Sequence, residues 1–330
     1  MTEFSPLIFP LVILLAGLLL LLGGGELLVN GARKLARHWG MSSLLIGLTV
    51  VAFGTSLPEL FISLAATWRG HPEIMLGNVV GSNIANIGLI LGISLLLAPL
   101  RLAFRVVAVE MVLLHLATAV LFILVGAGFF PRPVGGLFVA TLLIYTFVAY
   151  RYAAVESAPA ATVAVAATEA EADPAPDAPG EDSGVGRALL LVLVGLVALA
   201  GGSELFLHGA VEIARGLGVS ELVIGLTLAA LGTSLPELAT CLAAIRQRQD
   251  ALLVGNIIGS NLFNLLMVMG VTASLMPFSL PPVLLYRDLP VMLFFSLVLL
   301  AALVLRGRLG RGLGVLLLGG YVAYLISLAW

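Results

Sequence analysis

Glu59 and Glu237 are the residues around which chemistry could be built. Each ends the hexapeptide Gly-Thr-Ser-Leu-Pro-Glu, at residues 54–59 and 232–237, 178 positions apart. Each lies inside a long apolar run, next to a proline and two hydroxyls. A charged group at membrane depth costs at least ~2.5–3.5 kcal/mol, so an acid held there points to function. Carboxylates, hydroxyls and backbone carbonyls are the hard oxygen donors that sodium and calcium prefer. The chemistry on offer is therefore cation ligation. Pro58 and Pro236 donate no backbone hydrogen bond and disfavour helix at the preceding residue. This predicts a broken helix with free carbonyls near 52–54 and 230–232. The following half-helix would begin at the proline, with its positive dipole end beside Glu59 or Glu237. A plain proline kink capped by Thr55 and Ser56 accounts for those residues but not for the glutamate.

A second polar element follows each hexapeptide. Gly77-Asn78, Gly81-Ser82-Asn83 and Asn86 are matched by Gly255-Asn256, Gly259-Ser260-Asn261 and Asn264. Asn78, Ser82 and Asn86 are spaced by four, so they form one stripe on an otherwise apolar helix. Asn83 lies a quarter-turn away and is expected to bond a neighbouring helix. Gly77, Gly81 and Gly88 would allow close helix approach.

These elements need a scaffold. Of 330 residues, 61% are hydrophobic and 10% charged, and mean hydropathy is +1.16. Soluble domains carry about 25% charged residues, so the chain reads as an integral membrane protein of the all-α class. Ten transmembrane helices are expected, over 6–34, 42–68, 73–98, 105–128, 134–152, 187–214, 219–246, 250–275, 283–305 and 312–329. The first is read as a retained helix and not a signal peptide, and the first and sixth are long enough to tilt. Residues 153–186 are rich in Ala and Pro, with seven acids and no basic residue. They read as a flexible linker without the ligand spacing of a calcium loop. The single cysteine, Cys241, excludes an internal disulfide.

With the N-terminus outside, the 16 basic residues divide 12 inside (Arg33, Lys34, Arg37, Arg101, Arg105, Arg151, Arg187, Arg246, Arg248, Arg306, Arg308, Arg311) and 4 outside (Arg69, Arg132, Arg215, Arg287). The positive-inside rule favours that arrangement: a multi-pass protein of the cell membrane, both termini outside, the linker cytoplasmic. An offset of 178 aligns the halves 1–152 and 187–330 without a gap. Between 47–92 and 225–270, 21 of 46 positions are identical, concentrated on Gly, Pro, Asn, Ser and Glu. Five helices per half is an odd number, so the halves would be inverted repeats, an architecture that places a transported ion at the repeat interface. Glu26 and Glu204, at corresponding positions, would pair with an arginine or take part in gating. Glu110 and Asp288 suit helix starts, and His115 and His208 read as structural.

The paired motifs resemble the alpha repeats of the cation/calcium antiporter superfamily, especially prokaryotic sodium/calcium exchangers. The resemblance covers both halves and not the linker. It implies cation ligands Thr55, Ser56, Glu59, Ser82 and Asn86 in one half and Thr233, Ser234, Glu237, Ser260 and Asn264 in the other, with carbonyls from Ala52 and Ala230. It also implies that the first and sixth helices slide as a gating pair, with which the patches Gly23-Gly24-Gly25 and Gly201-Gly202-Ser203 are compatible. The expected activity is calcium exchange against sodium by alternating access. It needs no cofactor, no nucleotide, no nucleic acid and no obligate protein partner beyond the lipid bilayer and the transported ions. Several family members have an acid where this chain has Asn86 and Asn264. Two carboxylates are neutralised by one calcium or two sodium ions, and a third sodium would leave +1. Two facing carboxylates without a cation repel, which makes a proton/calcium exchanger the rival reading. A channel and an intramembrane hydrolase are weaker ones.

Overall fold

The computed structural model describes residues 5–156, 184–219, 232–305 and 307–328. Its helices are α1 (Ser5–Trp39), α2 (Ser43–Trp68), α3 (Pro72–Leu97), α4 (Ala108–Ala127), α5 (Arg132–Glu156) and α6 (Val185–Gly216). Then follow α7 (Leu235–Arg246), α8 (Asp250–Leu275), α9 (Asp288–Leu305) and α10 (Arg311–Leu328). Among the described residues, nine are long and apolar enough to cross a membrane. The expected seventh span, 219–246, lies partly outside the described residues, as does most of the linker.

The chain is thus a multi-pass, all-α membrane protein. Large apolar side chains on the outer helices, such as Phe9, Ile123, Leu143 and Val197, face outward, as a lipid-facing surface requires. The inside is different. Every residue in the most apolar window of α8 is buried, and α8 packs against α2 along a face with almost no side chains. A Cβ on Gly255 would lie 2.4 Å from the carbonyl oxygen of Leu44, and one on Gly47 2.6 Å from that of Leu252. Small residues of this kind let helix backbones meet where no hydrophobic effect drives association. The contacts of Gly77 and Gly81 expected by the same offset fall on 222–230, outside the described residues. Gly88 meets the side chains of Tyr321 and Phe295.

Contacts between the halves come in crossed pairs. Strand β1 (Leu100–Arg101) pairs antiparallel with β4 (Arg308–Leu309), and β2 (Phe129–Phe130) with β3 (Phe278–Ser279). Gly92 of α3 abuts Gly314 of α10, while Gly270 of α8 abuts Gly135 of α5. The third helix of each half is therefore flanked by the fifth of the other.

The long helices α1 and α6, 35 and 32 residues, pack on each other outside this centre. Of the contiguous patches, only the central residues Gly24 and Gly202 make that contact. They belong to a ladder spaced by seven: Gly17 and Gly202 meet, Gly24 and Gly195 meet, Gly31 meets Ala188, and Gly209 meets Pro10. Seven residues are almost two helical turns, so each glycine returns to the same stripe, whereas adjacent glycines point to three directions. Gly25 instead faces the Ala239 carbonyl of α7, and Ser203 donates to the Gly232 carbonyl at 2.5 Å.

Candidate functional site

Local backbone chemistry sets the site. Ser42 caps the start of α2 by accepting from the Leu45 amide. The helix then passes through a π-helical stretch, Gly47–Val51, resumes α geometry over Ala52–Thr55, turns at Ser56 (φ −85°, ψ 2°) and continues from Leu57. The expected break is therefore shallow. Ala52 does not end a half-helix with an open carbonyl: its oxygen accepts from the Ser56 amide at 3.0 Å and from the Thr55 hydroxyl at 3.4 Å. The reason is that Ser56 stays close to helical geometry and Pro58 sits in the first turn of the next segment, where its missing N–H costs little. The carbonyl that Pro58 cannot serve is that of Gly54, four residues back. In the second half the equivalent carbonyl, Gly232, is the one taken by Ser203. Ala230 lies outside the described residues.

Glu59 and Glu237 each fall in the first turn after the proline, as expected. Their side chains are 0% and 1% exposed, and all four carboxylate oxygens lack a hydrogen-bond partner. Their helices converge on one residue: Thr55, four residues before Glu59, and Cys241, four residues after Glu237, both contact Asn256. Ser56, Ser234, Asn83 and Asn264 are also buried with unpartnered polar atoms, as are one amide atom each of Asn86 and Asn261. Nearly all buried polar groups in folded proteins find a partner. Two buried acids with no partner for any of their four oxygens offer donors of the kind a hard cation prefers.

The two halves meet at this place through reciprocal hydroxyl pairs. Thr55 lies 3.4 Å from Ser260, and Ser82 lies 3.4 Å from Thr233. Thr55 also reaches Asn256 at 3.3 Å, and the Asn86 amide donates to the Asn261 oxygen at 3.4 Å. One hydroxyl proton cannot serve all of Thr55's neighbours at once, so oxygen lone pairs stay available. Behind this layer, the Asn78 amide donates to the Ser63 hydroxyl at 3.0 Å and to the Glu59 carbonyl at 3.2 Å. Asn256 donates to the Cys241 sulfur at 3.6 Å. Cys241 corresponds to Ser63 under the 178-residue offset, so each half buttresses its acid-bearing helix from the same asparagine.

Two roles differ from expectation. Asn83 makes no bond to a neighbouring helix, since both ends of its amide are buried and unpartnered. Its counterpart Asn261 contacts Asn86 across the halves. Asn256 and Asn261 thus join the contacts between the halves, and spacing on one helix gave no sign of which opposite helix they would meet. Three other acids have side-chain partners, although the second oxygen of Glu110 is buried and unpartnered. Glu110 accepts from the Tyr145 hydroxyl at 2.6 Å, Asp288 holds Arg287 and Tyr324, each at 3.0 Å, and Glu26 pairs with Arg246 at 3.2 Å. His115 Nδ1 lies 2.7 Å from the Met111 carbonyl.

The fold is that of a helical membrane protein with two buried acids whose oxygens have no partner. The family model described as sodium/calcium exchanger protein matches residues 9–153 and 187–330. The chain belongs to that family. It is 36% identical over 95% of its length to the putative antiporter CaxA of Alkalimonas amylolytica, covering 96% of that protein. It is 31% identical over 96% of its length to the sodium/calcium exchanger MaX1 of Methanosarcina acetivorans, covering 97% of it. Among solved structures it resembles the sodium-calcium exchanger NCX_Mj in a sodium- and calcium-free soak, with a TM-score of 0.79 and 31% identity. That match covers 98% of this chain and 99% of the other.

Proposed function

We propose that this protein exchanges calcium for sodium across the cell membrane by alternating access. The cation would be held by Glu59 and Glu237 together with Thr55, Ser56, Ser82, Asn86, Thr233, Ser234, Ser260 and Asn264; the Ala52 carbonyl, already accepting two hydrogen bonds, is left out of the set. The observation that carries the reading is the pair of buried acids with four unpartnered oxygens. In an ion-free protein each is costly to keep, and a desolvated metal ion is what such a set accepts. Five helices per half, with crossed contacts between halves, support ten spans in two inverted repeats. Each half would then gate the site toward one side. No covalent step is required, so the protein is read as a transporter and not an enzyme, with no cofactor.

The two carboxylates admit a proton as competitor, which keeps proton/calcium exchange as the second reading. Reconstitution distinguishes them. In liposomes with pH clamped on both sides, an outward sodium gradient should drive calcium uptake. Uptake indifferent to sodium but driven by a pH gradient would replace sodium by protons in this scheme. Calcium flux that persists with no counter-ion at all would reject exchange altogether.

A further inference from the structure

A cavity of about 310 Å³ lies between α1 and the turn joining α7 to α8, lined by Glu26, Asn30, Arg33, Arg246, Gln247 and Arg248. It is separate from the cation site in composition and in charge. Three guanidinium groups face one carboxylate, and that carboxylate is already engaged. Glu26 holds Arg246 at 3.2 Å and accepts from the Gln247 amide at 2.7 Å. Gln247 also donates to the Glu26 backbone carbonyl at 3.3 Å. Glu26 and Arg246 balance one another in the wall, and Arg248 adds a positive charge beside them, which makes a poor station for a cation.

Arg248 is the decisive residue. It is the single non-glycine residue with positive φ among the described residues, at 55°. Left-handed backbone is strained for side chains with a Cβ. In the other half the corresponding position is Gly70, at φ 84°, which adopts that conformation freely. The same turn could thus have used glycine and instead keeps an arginine. The matching positions for Arg246 and Arg33 are Trp68 and Val211, so the cluster is built on one side of the molecule only. A backbone outlier retained against an available alternative points to a task for the side chain.

We propose that this cavity binds a phosphate group. Guanidinium forks match phosphate oxygens in geometry and charge. A turn at the end of two membrane helices sits at headgroup depth, where an anionic lipid presents such a group. Soluble phosphate offers the same chemistry. A bound phosphate would bridge α1 to the α7–α8 turn.

The test uses the full chain in an uncharged detergent, titrated separately with phosphatidylglycerol, phosphatidylcholine and inorganic phosphate, with bound species counted by native mass spectrometry. One phosphatidylglycerol per chain should bind at this site, phosphatidylcholine should not, and Arg248→Gly should weaken binding about tenfold, as losing one charge-assisted contact predicts. Arg246→Gln should weaken it too. Displacement of the lipid by millimolar inorganic phosphate would assign a soluble anion, and resistance to it a lipid headgroup; either supports the site. Arg248→Gly should melt no lower than the parent chain, since glycine relieves the turn. Equal phosphatidylglycerol binding by the parent chain and Arg248→Gly would overturn the proposal, as would equal binding of both lipids.

Discussion

At the scale of single residues, the two buried glutamates make opposite demands on the empty and loaded protein. Without a cation, Glu59→Gln or Glu237→Gln removes an uncompensated buried charge, so the ion-free variant should melt at or above the parent temperature. With calcium present the balance reverses. Removing one partner of a buried ion pair costs about 3–5 kcal/mol, on the order of a hundredfold or more in calcium affinity. Melting curves with and without calcium check both signs, because a ligand stabilises only the form that binds it. Calcium-induced stabilisation equal to that of the parent chain would remove these acids from the site. Ser260→Ala makes a milder prediction. It deletes one side of the Thr55–Ser260 pair and should weaken calcium binding by about 1 kcal/mol, roughly fivefold. The candidate acids were legible in the sequence, because a capped proline kink explains the hydroxyls beside them but not a glutamate inside an apolar run. The partners Asn256 and Asn261 were not, since their role depends on which helix lies opposite.

At the scale of helices, proline and glycine were legible as types but not as geometry. The missing N–H of Pro58 is evident from its identity, and a helix break with open carbonyls follows from it on paper. The backbone at Ser56 stays near helical values and keeps the Ala52 carbonyl bonded, which a linear reading cannot anticipate. The π-helical stretches over Gly47–Val51, Asn86–Leu91 and Phe263–Met269 carry no residue signature either. Likewise, the run Gly23-Gly24-Gly25 draws the eye as a block, while the contact uses Gly24 alone, with glycines seven apart from it. That ladder is testable. A Cβ on Gly24 would lie 2.9 Å from the Leu199 amide nitrogen and 3.0 Å from the Gly195 carbonyl oxygen, backbone atoms that cannot step aside. Gly24→Ala should therefore cost about 1–3 kcal/mol of stability, read as a lowered melting temperature. Gly126→Ala, at an exposed position with nothing within 4 Å of its Cβ, should cost nothing.

At the scale of the whole molecule, the crossed contacts make a topological claim that labelling can decide. The β1–β4 pairing joins residues 100–101 to 308–309, and β2–β3 joins 129–130 to 278–279. Chain ends held in one such pair must share a face, and the basic residues assign the first pair to the inside. Cys241 is the chain's single cysteine and is buried against Asn256. Ser63 fills the equivalent place against Asn78, so Cys241→Ser should give a cysteine-free chain that still folds. Single cysteines replacing Arg308 or Arg187 on that background should resist a membrane-impermeant maleimide in intact cells and react after permeabilisation. Cysteines replacing Arg69 or Arg132 should react at once. Labelling of all four from outside would break the inverted arrangement, and with it the reason for placing the ion between the halves. The opposite pattern, with the first pair open and the second protected, would keep the two halves and reverse only the orientation. The geometry of the site does not depend on orientation, so the glutamate and serine predictions would survive that outcome unchanged.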